Sequence, residues 1–490
     1  MISVPEPRRV GAAGDLAVFR QEFHRCLPRR GDALFELADA VLCADGPVTS
    51  LPGLSLVAEH RRGHGALYDA LSAGRIDVER LRTAVTSSPL PRAADGRLVL
   101  AVDVTCWLRP DAPTVPERIL CHTTGRGKDQ HIGVPGWPYS FVVALETGRS
   151  SWTAPLDAVR LPPAADLATV TAGQVRDVVT RLIAAGHWKS GDPEIWTVAD
   201  AGYDAARLAW LLRDLPVRIL ARLRSDRVLH RPAPPKQPGV LGRPRRHGDE
   251  FIFGDPASWG EPDVTTVTET RRYGTATARA WHRLHPRLTR RAAWADCPDL
   301  PILEGTLIRL DVQRLPSGAT AKPVWLWWSA ITGTSQPDPT VVNLLWQAFL
   351  RRFDIEHTFR LFKQTLGWTL PKLRDPAAAD RWTWLLIAAH TQLRLARPLA
   401  ADLRRPWEQP APPHRLTPAR VRRGFRHLRA NSVCPAGAPK PTRPGPGRPP
   451  GRPNNRPAAR HDVHTVTSNE AGKPTPTKKK STNPRPRRTG

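Results

Sequence analysis

Hydrophobic and polar positions change their period several times along this chain. In "LAVFRQEFHRCL", "GDALFELADAVLCA" and "DVERLRTAVT" the apolar letters recur at helical intervals, which predicts a helical N-terminal domain over residues 1–92. From residue 97 the period shortens. "RLVLAVDVTCW", "YSFVVALE" and the weaker "SWTAPLDAVRL" read as three strands. A helix follows over 171–188, where Val175, Val178, Val179 and Leu182 keep period 3.6, with Thr171 as N-cap and Gly186 as terminator. "PEIWTVADAGYD" is the next strand, "AARLAWLLRDL" a helix and "VRILARLRS" a further strand. This order predicts a mixed sheet with helices packed on it, the first part of an α/β core over 93–224.

Residues 225–340 interrupt that rhythm. Short alternating runs ("DVTTVTETRRYG", "LIRLDVQRL", "KPVWLWWSA") predict a β-rich insertion, with a basic loop, "LGRPRRHGD", at 241–249. Trp325, Trp327 and Trp328 fit a strand with buried rings, or rings that stack on a flipped base. The core resumes over 341–407. There "FLRRFDIEHTFRLFKQTLGW" reads as one amphipathic helix, 349–368. The run "RWTWLLIAAHTQLRLARPLA" reads as a core helix, since His390, Arg394 and Arg397 break it as a membrane span. From 408 to 490 the chain is basic, Pro-rich and poor in large apolar side chains, so a disordered tail is expected, "TPARVRRGFRHLRA" being its one candidate for order.

Charge changes the picture. The 490 residues carry a formal +28, of which residues 411–490 supply +17. Such an excess predicts an anionic partner. Nucleic acid fits better than a membrane, because no apolar run reaches the roughly 20 residues that span a bilayer. The N-terminus lacks the apolar core of a secretory signal, and six cysteines without a CxxC pair suggest a reduced, cytoplasmic protein without a structural zinc site. His60, Arg61, Arg62 and His64 suit either DNA contact or a solvated patch on a packing domain. Arg448 and Arg452, each between Gly and Pro, suit a minor groove or a merely solvated arm.

Candidate chemistry rests on three acids. Asp103 and Asp200 each stand near the end of a strand, where a carboxylate is costly unless paired, hydrogen-bonded or metal-bound. If the two strands are neighbours, the carboxylates lie side by side. Glu356 joins them from the 349–368 helix, on which Phe349, Arg352, Glu356, Arg360 and Lys363 share roughly 80° of arc. Three hard oxygen ligands suit Mg²⁺ or Mn²⁺, and two ions about 4 Å apart suit in-line phosphoryl transfer. The plainer alternatives are strand-end and capping aspartates, with i,i+4 ion pairs from Arg352 to Glu356 and Glu356 to Arg360. Asp204 is expected to cap the helix after it, and His122 has no partner nucleophile at a useful spacing.

At these residues the chain resembles DDE transposases of bacterial insertion sequences, which have an RNase H-like core and a Y-x2-R-x3-E-x6-K signature. The matching residues are Phe349, Arg352, Glu356 and Lys363, with Phe in place of Tyr; "DVT" at 103–105 and "DAGYD" at 200–204 resemble the two aspartate blocks. The resemblance implies that Asp103, Asp200 and Glu356 bind the metals, and that Arg352, Lys363, Arg360 and Phe349 lie near DNA phosphates. It also implies cleavage at element ends and strand transfer into target DNA, by a homodimer on double-stranded DNA at the nucleoid. An RNase H-like nuclease and a catalytically silent DNA-binding derivative are the alternatives.

Overall fold

The computed structural model describes residues 7–124, 131–147, 150–236, 242–291, 294–295, 297, 299–329, 338–440 and 458–463. The chain opens with five helices, α1 Pro7–Arg25, α2 Gly31–Cys43, α3 Leu51–Leu54, α4 His64–Ala73 and α5 Val78–Thr86. Strands β1 Val99–Leu108, β2 Ile119–Thr124, β3 His131–Leu145 and β4 Thr153–Arg160 come next. Helix α6 Leu167–Ala184, β5 Ile195–Ala199, α7 Ala205–Leu211 and β6 Val217–Leu223 complete the first half. Then follow β7 Val228–Pro232, β8 His247–Ile252, β9 Val264–Thr270, β10 Gly274–Leu284, β11 Gly305–Val312 and β12 Val324–Ser329. Last are α8 Pro339–Arg351, α9 Asp354–Arg360, α10 Pro376–Ala396 and α11 Pro418–Ala430.

The first half is the expected RNase H-like mixed sheet. Its strands lie in the order β4-β3-β1-β5-β6, antiparallel from β4 to β1 and parallel from β1 to β6. Each parallel step is bridged by a helix, as a parallel connection requires. Helix α6 starts four residues before the expected Thr171. The side chain of Asp166 accepts the Ala168 N–H and caps it, while Thr171 is buried inside the helix. Gly186 does end it, at φ 74°, where the His187 N–H reaches back to the Leu182 carbonyl.

The β-rich stretch does not interrupt this sheet; it extends it. Strand β12 pairs antiparallel with β6, and β11, β10 and β9 continue outward. Among the described residues, β7 and β8 stand apart as a two-stranded unit. Trp325 and Trp327 are buried in β12, so the strand reading of the tryptophan run holds for them. Trp325 packs among Phe251, Phe253, Trp259 and Trp281, and the Trp327 indole N–H donates to the Leu284 carbonyl.

Helix α10 is buried along nearly its whole length and carries the N-terminal helices on the sheet. Arg20 of α1 grips Asp39 of α2 with both nitrogens, at 2.7 and 2.9 Å, and donates to Gln392 of α10. All three side chains are buried. Folded structure continues past 408. Val421 and Phe425 of α11 are buried, Arg422 donates to the carbonyls of Val41 and Gly46, and Arg426 donates to that of Cys43. These cations sit at the C-terminal end of α2, where the helix dipole is negative. Arg61 and Arg62 take the packing role: both pair with Glu36, which is fully buried. Residues 458–463 return to the loop before β2, where His461 bonds Pro113 and Arg118. Arg448 and Arg452 lie outside the described residues.

Candidate active site

Strands β1 and β5 are paired from Val99↔Trp196 to Ala101↔Val198. Carried two residues further, that register sets Asp103 opposite Asp200. The neighbourhood expected of the two aspartates is therefore a property of the sheet. Each carboxylate also folds back on its own backbone: Val104 N–H donates to Asp103 Oδ1 and Ala201 N–H to Asp200 Oδ1, both at 2.8 Å. Asp204 caps α7 by accepting from the Arg207 N–H, so it faces that helix.

The helix expected over 349–368 is broken into joined pieces. Helix α8 ends at Arg351, and the next carbonyls bond three residues on: Arg352 N–H to Phe349 O, Ile355 N–H to Arg352 O and Glu356 N–H to Phe353 O. This tighter winding turns the side chains away from ideal α spacing. After α9, residues Leu361–Thr365 open into a π-helical turn, closed by Leu366 N–H to Leu361 O. Aromatic packing fixes α9 over the sheet. Phe141, the cross-strand partner of Asp103, meets Phe359 at 5.3 Å, Phe362 at 6.2 Å and Trp368 at 5.8 Å between ring centroids. Thr358 reaches Thr153 of β4 at 2.8 Å. Burying each ring contributes about 1.5–3 kcal/mol, enough to hold the helix in one position.

The five side chains that share an arc on an ideal helix separate here. Phe349 is buried and packs in the core, which takes it away from any phosphate. Arg352 is not free for phosphate either. Its Nη1 lies 2.8 Å from Asp103 Oδ2 and its Nη2 3.4 Å from Asp200 Oδ2, so it ties the two aspartates together instead of pairing with Glu356. Glu356 is exposed, and it lies close enough to Asp103 for its charge to bear on that carboxyl. Burial and the neighbouring charge of Glu356 push the Asp103 carboxyl up to about 7, against the pull of Arg352. Arg360 is exposed one turn after Glu356. Lys363 is half-buried in the π turn, 5.8 Å from the Trp368 ring centroid, and burial lowers its ammonium from the usual range.

Tyr203 was not singled out by the sequence. It is buried beside Asp103, Asp200 and Arg352, and burial with the charge of Asp103 pushes its phenol well above the usual range. The residues "DAGYD" hold it, but nothing in their spacing marks it. Among the described residues, no group of three His, Cys, Asp or Glu side chains is placed, as it stands, to hold a metal ion. Arg352 takes the position of positive charge between the aspartates. Residues of α8, α9 and the turn between β9 and β10 line a cleft of about 1130 Å³. Arg271, Arg272, Arg351, Arg415 and His357 line it, with Asp95, Glu146, Glu269 and Asp354 as the acids.

A family profile described as "DDE superfamily endonuclease" matches residues 22–287, a span that holds Asp103 and Asp200 and ends before Glu356. No curated protein matches the chain. Among solved structures, it is similar to one described as a cryo-EM structure of the piggyBac transposase synaptic complex with hairpin DNA. Identity there is 10% and the TM-score 0.39, over 81% of this chain and 70% of that one.

Proposed function

The chain belongs to the DDE superfamily endonucleases, and on that premise we propose that it cuts DNA strands by metal-dependent phosphoryl transfer at Asp103, Asp200 and Glu356. One observation carries the reading: the β1–β5 register sets Asp103 beside Asp200, with Glu356 of α9 near enough for its charge to raise Asp103. The donor set fits a hard dication. Burial, with the charge of Glu356 nearby, raises the Asp103 carboxyl, and a cation bound there would relieve both. Three carboxylates of this kind suit Mg²⁺ or Mn²⁺, with two ions as the family chemistry implies. When bound, the ions supply an activated water and neutralise charge on the phosphate.

The chain's own residues do the rest. Arg352 holds the two aspartates at one spacing, in the place that a bound cation would compete for. Lys363 and Arg360 lie along the continuation of the Glu356 helix, where DNA phosphates next to the cut would meet them. In this reading Arg271, Arg272 and Arg415 of the cleft offer further cations to DNA phosphates. In the finer reading, the 3′-OH made by the cut attacks target DNA, as in insertion-sequence transposases with the Y-R-E-K signature. That reading adds recognition of terminal repeats and a homodimer that holds two ends.

A second reading, a DNA-binding protein that no longer cuts, is favoured by the Arg352 bridge between Asp103 and Asp200. Labelled duplex DNA and supercoiled plasmid, incubated with the full chain and Mn²⁺, separate these readings. Nicks that disappear in Asp103→Asn support the endonuclease, and joined products add strand transfer. DNA bound with no nick at any Mn²⁺ concentration leaves only the silent reading.

A further inference from the structure

Away from the acids, three histidines from distant parts of the chain meet where β7–β8 leans on the end of β10. His230 lies in β7, His247 opens β8, and His285 follows β10. Backbone bonds fix two of them: His230 N–H donates to His285 O at 2.8 Å and His285 N–H to His230 O at 3.0 Å. Their ring centroids are 5.4 Å (230–247), 5.2 Å (247–285) and 6.3 Å (230–285) apart. Nδ1 of His247 is 2.9 Å from Nε2 of His285.

Hydrogen bonding alone leaves this cluster incomplete. His230 is buried, and its Nδ1 has no hydrogen-bond partner. A buried polar atom left so costs roughly 1–3 kcal/mol. Simple geometry supplies a comparison. With metal–nitrogen bonds near 2.0–2.1 Å and tetrahedral angles, the ring centroids of histidines on one zinc stand about 5.3 Å apart. Two of the three separations here are close to that value, and the third is within a small ring movement of it.

We propose that His230, His247 and His285 form a zinc site, three imidazoles with a water in the fourth position, that clamps the β7–β8 unit to the main sheet. As the rings stand, three donors do not converge. His247 Nδ1 and His285 Nε2 already face each other, and His230 joins them by turning its ring about the Cβ–Cγ bond. Imidazole nitrogens without a carboxylate select Zn²⁺ over Mg²⁺ or Mn²⁺. Arg246 and Arg287 lie near His247 and oppose a cation, while Glu304 near His285 favours one. The site's effect is positional. Arg243, Arg245 and Arg246 lead directly into β8, so the clamp fixes where that basic stretch is presented. Residue spacing conceals the site, because the three ligands share no local motif.

The full chain, stripped with a chelator and dialysed, is titrated with Co²⁺ while visible d–d absorption is read, and Zn²⁺ is then added as competitor. The expected result is one Co²⁺ per chain in a tetrahedral spectrum, displaced by Zn²⁺ and unchanged in Asp103→Asn. In His247→Ala, whose side chain is only part-buried, binding falls by at least about tenfold. His247→Gln guards against misfolding, and circular dichroism checks each variant. No tetrahedral band in the wild-type chain, or a band that survives both His247 substitutions, overturns the proposal.

Discussion

The guanidinium of Arg352 lies 2.8 Å from Oδ2 of Asp103, across 249 residues of sequence, and also reaches Asp200. Arg352 thus supplies at this site the positive charge that a metal ion would otherwise supply. Replacing it with Ala is expected to destabilise the metal-free chain by about 2–4 kcal/mol, since it leaves two half-buried carboxylates without their cation. Added Mn²⁺ should recover more stability in Arg352→Ala than in the wild type. Calorimetry with and without Mn²⁺ checks this, and an equal Mn²⁺ effect in both proteins would rule out competition for one position.

Asp103 gives the site a pH dependence. Its folded value, about 7, lies above its ordinary 3.8, so the folded state holds the proton more tightly than the unfolded state. The stability this contributes is fully present below about pH 4 and is lost as pH rises through 7. Asp103→Asn should therefore gain on the wild type at pH 8 and not at pH 4 in urea unfolding. Mn²⁺ must displace the same proton, so its affinity should rise about tenfold per pH unit below 7 and level off above it. A flat affinity between pH 5 and 7 would contradict the assignment.

Arg271 and Arg272 stand in the turn between β9 and β10, at the mouth of the cleft beside α9. If that cleft follows a DNA backbone, the double Ala variant should weaken binding equally for unrelated sequences. The slope of log affinity against log salt should fall by about two, roughly one per lost phosphate contact. Fluorescence anisotropy at several salt concentrations reads it, and an unchanged slope removes the cleft from the DNA path.

Asp39 is the hub of the N-terminal domain, fully buried, with Arg20 at 2.7 Å and Arg429 at 3.2 Å. Asp39→Ala strands two cations and is expected to cost about 3–5 kcal/mol in denaturant unfolding. A loss below about 1 kcal/mol would mean that solvent reaches this site.

The aspartates were legible because alternation in a strand is local and the parallel register of β1 and β5 carries one to the other. Gly186 and Asp204 were legible for a similar reason, as their roles depend on the next few residues. Thr171 was misplaced because an earlier cap, Asp166, competes within the same stretch. Phe349 and Arg352 were read from an ideal helical wheel, and the i→i+3 winding at 352–356 turns both out of the shared arc. The joining of β12 to β6 had no signature either, because a sheet edge chooses its partner through tertiary packing. The run that forms α11 was the tail's one candidate for order, and Val421 and Phe425, two buried positions one turn apart, hold it on the fold.

Helix α11 has a consequence for the order in which the molecule can be completed. The carbonyls of Val41 and Cys43, and the carboxylate of Asp39, are made early in synthesis, whereas Arg422, Arg426 and Arg429 emerge some 380–390 residues later. Until then α2 ends on bare carbonyls and a buried acid lacks one of its two cations. The N-terminal helices therefore reach their final stability only after α11 has been made. A protein stopped at residue 407 should show faster hydrogen exchange in α2 than the full chain, with the β1–β5 pairing left as it was.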